Sequence, residues 1–134
     1  MKNLKEAQRW INQGERDLKA ANELLEPEMY ETVCFLCQQA VEKMLKGLLY
    51  GKGYRAIITH SVKKLFNDVA REFDDVKPLV GECIELDKQY IPPRYPDAFP
   101  EGSPYEYYTE KDAKRCIKYA TLILEEVKRL MQSL

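Results

Sequence analysis

The sequence predicts an all-α fold, an up-and-down bundle of four to five helices, and three observations carry that expectation. Apolar residues recur every three or four positions through several long segments, the spacing that lines one face of a helix. No stretch alternates apolar and polar residues as a half-buried strand does. Proline and glycine punctuate the joins, at Pro27 and at Gly51-Lys52-Gly53. At 134 residues and 45% hydrophobic content, the chain has the size and composition of a single domain, 1–134, around one core.

The first helix follows from Leu4, Ala7, Ile11, Gly14, Leu18, Ala21, Leu24 and Leu25, all on one face. After Pro27 the same period resumes at Val33, Cys37, Ala40, Val41, Met44, Leu45, Leu48 and Leu49, giving a second long helix antiparallel to the first. It ends at Gly51-Lys52-Gly53, where glycine can adopt the left-handed conformation of a helix terminus. Val62, Leu65, Phe66, Val69 and Ala70 mark a third helix. Val76, Leu79, Val80, Cys83 and Ile84 mark a further one, separate or continuous across a kink near Phe73-Asp74-Asp75. The last helix starts at Thr109, a capping residue with Asp112 three positions on, and buries Ala113, Cys116, Ile117, Ala120, Ile123, Leu124, Val127 and Leu130. Between them, 91–108 holds five of the seven prolines and, with Tyr90, five of the nine tyrosines. This is a stiff strap that either covers the bundle's end or contacts a ligand or partner.

Composition restricts the function classes. No run approaches the eighteen or so apolar residues of a membrane span, and the first residues lack a leader's apolar stretch, so a cytoplasmic protein is expected. With 21 basic and 22 acidic side chains, any phosphate-binding surface has to be local. The four cysteines fall within helical segments, which predicts reduced thiols; Cys34 and Cys37 have half a zinc site's spacing but no second pair, and read as core. The pattern implies no cofactor and no metal centre.

Candidate chemistry gathers in three places. Gln38, Gln39, Glu42, Lys43 and Lys46 form a stripe at steps of three and four, read as lying opposite the buried face of the second helix. It is either solvated surface with a Glu42–Lys46 pair or a cationic patch for phosphate. His60, the one histidine, enters the third helix, where it either completes a cap or serves proton transfer and anion binding; Arg55 precedes it in an Arg-x4-His arrangement. In a metal-independent ribonuclease such a pair moves the proton of the attacking hydroxyl and offsets charge on phosphorus. Arg94-Tyr95-Pro96-Asp97 offers a bidentate phosphate ligand beside a ring that can stack on a base, unless Arg94 pairs with a carboxylate such as Asp97.

These residues in this order resemble the HEPN family, the higher eukaryotes and prokaryotes nucleotide-binding domain. The likeness runs through Asp17-Leu18-x-x-Ala21, Tyr30-Glu31-x-x-Cys34-Phe35-x-x-Gln38-Gln39-Ala40-x-Glu42-Lys43-x-Leu45-Lys46, Thr59-His60-Ser61-Val62, Arg94-Tyr95-Pro96-Asp97 and Tyr108-Thr109. The resemblance implies a helical bundle, commonly a homodimer. It implies either a binding accessory beside a minimal nucleotidyltransferase, as in a toxin–antitoxin operon, or a ribonuclease with an Arg-x4–6-His site between protomers. In the ribonuclease members that motif lies in the C-terminal half with a polar residue after the arginine. Here Ala56 follows Arg55 and the last helix has no histidine. The first expectation is therefore a nucleotide- or RNA-binding accessory protein using Lys43, Lys46, His60, Arg94 and Tyr95. The second is a ribonuclease toxin using His60 with Arg55 or Arg94, and the third a dimerising scaffold without catalysis. Trp10, Phe35 and Leu36, beyond the main stripes, are the expected dimer contacts.

Overall fold

The computed structural model describes residues 2–134; Met1 lies outside the described residues. Six α-helices follow in order: α1 (Leu4–Glu23), α2 (Tyr30–Gly51), α3 (Val62–Glu72), α4 (Val80–Asp87), α5 (Pro104–Tyr107) and α6 (Glu110–Met131). Two 3₁₀ segments, Asp74–Leu79 and Pro96–Ala98, complete the set, and no strand occurs among the described residues. Of the two readings of 62–87, separate helices is the one realised. Phe73 leaves the helical conformation and Pro78, lacking an amide hydrogen, sits in the 3₁₀ turn between them.

Small residues set the closest approach. Ala7, Gly14 and Ala21 repeat every seven positions on the buried face of α1; Gly14 meets Ala40 of α2, and Ala7 meets Gly47 and Gly51. A Cβ on Gly14 would lie 2.7 Å from the Ala40 carbonyl oxygen, and one on Gly47 would lie 2.9 Å from Ile11 Cγ1. The contacts run Gly14 to Ala40 and Ala7 to Gly47, so the two helices are antiparallel, as the sequence predicts. Helix α6 continues the pattern, with Lys128 Nζ 2.6 Å from Glu15 of α1. Around this trio a single core draws on α1, α2, α3, α4 and α6.

The connection after α2 determines where the polar residues meet. Gly53, at φ 101°, turns the chain, and 54–61 runs back along α2 without helical structure. Gln38 near the start of α2 bonds the His60 carbonyl, while Lys52 at its end lies 4.9 Å from the Phe73 ring centroid. Helix α3 therefore runs beside α2 in the same direction, and α4 returns toward Ser61, whose hydroxyl donates to Asp87 at 3.5 Å. The strap then crosses that end, held by the Tyr108 hydroxyl donating to Gln89 at 2.6 Å, before the Thr109–Asp112 capping box starts α6. It is less irregular than its length suggests: Ser103 caps the one-turn α5, and Phe99 stacks on Tyr107 at 4.3 Å.

One expectation changes. The polar stripe of α2 does not lie on a solvated face, for Gln38, Glu42 and Lys46 are all buried. With α1, α3, α4 and α6 packed around it, α2 keeps only a partly open edge along Thr32, Leu36, Gln39 and Lys43. Nor do Trp10, Phe35 and Leu36 form one exposed patch. Trp10 packs at a tilt against Tyr50, Phe35 packs beneath Arg94, and Leu36 rests on the core.

Two outcomes follow from this packing. Gly14→Ala gains up to about 1 kcal/mol of helix propensity but forces α1 from α2, so chemical denaturation should show a net loss of about 1–3 kcal/mol. All four cysteines are free and buried. The neighbouring Cys116 thiol together with burial pushes Cys34 up, burial pushes Cys37 up, and burial raises Cys83 to about 12. Because the thiolate is the reactive form, an aromatic disulfide reagent at pH 8 should label none of the four thiols in the native protein and all four once it is unfolded.

Candidate functional site

The residues the sequence singled out divide between two positions. Lys43 reaches across to α1, its Nζ 2.6 Å from Asp17 Oδ2, and lines an open cleft of about 560 Å³ with Glu6, Arg9, Trp10, Asn12 and Gln13. Lys46 points into the protein. Its Nζ lies 3.1 Å from Glu42 Oε2 and 5.6 Å from the Trp10 ring centroid, and only 5% of the side chain is exposed. Both lysines therefore already hold a carboxylate partner, and the free cationic patch the spacing suggested is not formed.

At the end of the bundle where α2 and α3 begin, the structure brings His60 and Arg94 against one residue, Tyr90. The imidazole stacks on the Tyr90 ring, with centroids 5.1 Å apart and planes 13° from parallel. The Arg94 guanidinium lies 4.5 Å from the Tyr90 centroid, 4.5 Å from that of Phe35 and 5.0 Å from that of Tyr95, and its Nε donates to the Tyr90 carbonyl at 2.7 Å. Arg94 forms no ion pair with Asp97 or any other carboxylate among the described residues. Its terminal nitrogens reach solvent, since no buried side-chain nitrogen or oxygen among the described residues lacks a partner. A guanidinium held by aromatic faces and left without an anion is prepared for one from outside.

His60 is tied from beneath. Its Nδ1 lies 3.2 Å from Glu42 Oε2, and its carbonyl accepts from Gln38 Nε2 at 3.1 Å. Gln38 also donates to Glu42 Oε1 at 3.2 Å and accepts from Gln39 Nε2 at 2.8 Å. The histidine does not cap α3; Ser61 does, accepting from the Lys64 amide at 3.1 Å. The His60 side chain is 57% exposed, against 6% for Glu42, so the ring stands at the surface over a buried carboxylate. Arg55 is exposed and makes no hydrogen bond or ion pair among the described residues. Between it and His60, Ala56 holds φ 53°, an uncommon conformation for a residue with a side chain.

Glu42, Gln38, Phe35 and Tyr90 complete this site; the sequence reading places Glu42 and Gln38 in the polar stripe with the lysines and Phe35 among dimer contacts, and joins none of them to His60. Glu42 and Gln38 were legible as polar residues four apart on an otherwise apolar helix. The pairing of Tyr90 with both His60 and Arg94 had no local signal.

The geometry defines the class as an all-helical bundle with a histidine and an arginine–aromatic cluster at one end. Comparison makes the class specific. The HEPN domain model matches residues 7–130, and the chain belongs to the HEPN domain family. A Methanocaldococcus jannaschii protein named "Putative toxin MJ1304" is 30% identical over 139 aligned positions, covering 97% of this chain and 91% of the relative. TT1696 from Thermus thermophilus superposes with a TM-score of 0.87 at 36% identity, covering 92% of this chain and 97% of that one. ST0689, described as an archaeal HEPN homologue, gives 0.78 at 42% identity with 94% and 98% covered. The HEPN domain protein TM0613 from Thermotoga maritima gives 0.75 at 29% identity with 94% and 99% covered.

The buried pair makes a stability prediction. Lys46→Met strands the Glu42 carboxylate, which should cost about 3–5 kcal/mol, whereas Glu42→Leu/Lys46→Met removes both charges and should recover most of that loss. Urea denaturation of the three proteins checks the difference.

Proposed function

We propose that this chain is a nucleotide- or RNA-binding HEPN protein that acts as the toxin-side member of a pair with a minimal nucleotidyltransferase. The observation that carries the binding reading is the unpaired Arg94 guanidinium, braced by Phe35, Tyr90 and Tyr95 beside the exposed His60 ring. Arg94 takes the phosphate and the neighbouring rings offer stacking surface for a base. Lys43 and Lys46, held by Asp17 and Glu42, play a structural part instead. The likeness to the relative named "Putative toxin MJ1304" supports the toxin side of the pair, and the partner and a homodimeric state are part of the same proposal.

Binding of adenosine monophosphate and of a short fluorescent oligoribonucleotide to the purified protein tests this reading. Arg94→Ala should weaken phosphate binding about tenfold to a hundredfold, from the loss of a charged hydrogen bond, and flatten the salt dependence by about one contact. Lys43→Ala should leave affinity unchanged. Equal affinity of wild type and Arg94→Ala would remove this site from the functional account.

A second reading, metal-independent RNA cleavage, is favoured by one observation: the Glu42 carboxylate against Nδ1 of His60 is the arrangement that orients an imidazole for acid–base work. Cleavage of RNA in the presence of chelator, lost in His60→Ala, would support it; equal cleavage by the variant would refute it.

A further inference from the structure

The site has an asymmetry that ligand binding does not by itself require: the two nitrogens of His60 have opposite surroundings. Nδ1 faces Glu42 Oε2 at 3.2 Å, whereas Nε2 has no protein partner among the described residues on a side chain that is 57% exposed. The carboxylate has little freedom to turn away. Lys46 Nζ holds Oε2 at 3.1 Å, Gln38 Nε2 holds Oε1 at 3.2 Å, and the side chain is 6% exposed. The ring has little more. The Tyr90 face fixes its plane, and the bond from Gln38 to the His60 carbonyl fixes the backbone that carries it. Ring and main chain of one surface histidine are thus both fastened to the same buried stripe of α2.

From this geometry we infer that Glu42 is a positioning residue for His60: it fixes the neutral imidazole as the Nδ1–H tautomer and leaves Nε2 as an outward-facing hydrogen-bond acceptor. A carboxylate has only lone pairs to offer, so the nitrogen that approaches it has to carry the proton. An imidazole without such a partner favours the opposite, Nε2–H form, so the surroundings reverse the ring's own preference. Two donors are already directed at the Glu42 oxygens, the Lys46 ammonium and the Gln38 amide. The consequence at the surface is a division of labour. The lone pair on Nε2 accepts from a ligand hydroxyl or amine, while Arg94, carrying only donors, takes the anionic oxygens. The tautomer follows from the geometry alone; only its use toward a ligand rests on the nucleotide-binding reading above.

The chain has one histidine, so the test reads a single spin system. Two-bond ¹H–¹⁵N correlation spectra of the untagged protein, taken where the ring is neutral, distinguish a protonated from an unprotonated ring nitrogen. The expected spectrum has Nδ1 protonated and Nε2 unprotonated. In Glu42→Leu/Lys46→Met, which removes the acceptor without stranding a charge, the pattern should move toward the Nε2–H form. A merely structural role for Glu42 would leave the tautomer unchanged between the two proteins. That outcome, or a wild-type spectrum dominated by Nε2–H, would overturn the inference. Adenosine monophosphate added to the wild-type sample reports on the binding reading separately. Undisturbed His60 and Arg94 resonances would count against binding at this site, while a wild-type Nδ1–H spectrum that changes in the variant would still support the assignment to Glu42.

Discussion

Helix α2 is packed among α1, α3, α4 and α6, and a helix so placed has to satisfy within the protein every polar side chain it buries. Most of its length meets this demand with apolar residues. Gln38, Glu42 and Lys46 do not, and they lie four apart, on one line along the helix. Each is paired: Lys46 with Glu42, Gln38 with Glu42 and the His60 carbonyl, Glu42 also with the His60 ring. The path of the chain after α2 answers to this requirement. A tight connection into α3 would leave the stripe bare, whereas the extended return of 54–61 lays His60 across it.

The same return links structure to function. By running back along α2, the segment delivers His60 to the end of the bundle that the proline-rich strap also crosses. There Tyr90, just past α4, presents one face to the imidazole and stands against the Arg94 guanidinium. A buried charge pair is a poor source of net stability, because desolvation offsets most of its Coulomb attraction. Its value here lies in geometry, since a carboxylate held at two oxygens by two donors cannot drift and so gives the histidine a fixed support.

The two lysines show how a regular spacing can carry two different meanings. Lys43 and Lys46 lie three apart on α2, yet one crosses to Asp17 beside an open cleft and the other is buried against Trp10. Coulomb attraction to carboxylates of the same chain uses both charges. Arg94 remains available because its neighbours are aromatic: they hold the guanidinium by its face and leave its edge free.

Much of the fold was legible in residue order alone. The helical periods, the stops at Pro27 and Gly51-Lys52-Gly53 and the Thr109–Asp112 start of α6 are local features, set by backbone sterics and hydrogen bonds within a few residues. Family membership was legible too, because it rests on several short motifs kept in order. Burial of the α2 stripe was not, since a polar residue on a helix has the same spacing whether it faces water or a neighbouring helix. Nor was the partner of His60. Glu42 lies 18 positions before it and Tyr90 30 positions after, and only the return of 54–61 and the crossing of the strap bring the three together. Local chemistry therefore determined the elements and the candidate residues, while the tertiary path decided which of those residues share a site, because contact between distant positions depends on packing that no single segment encodes.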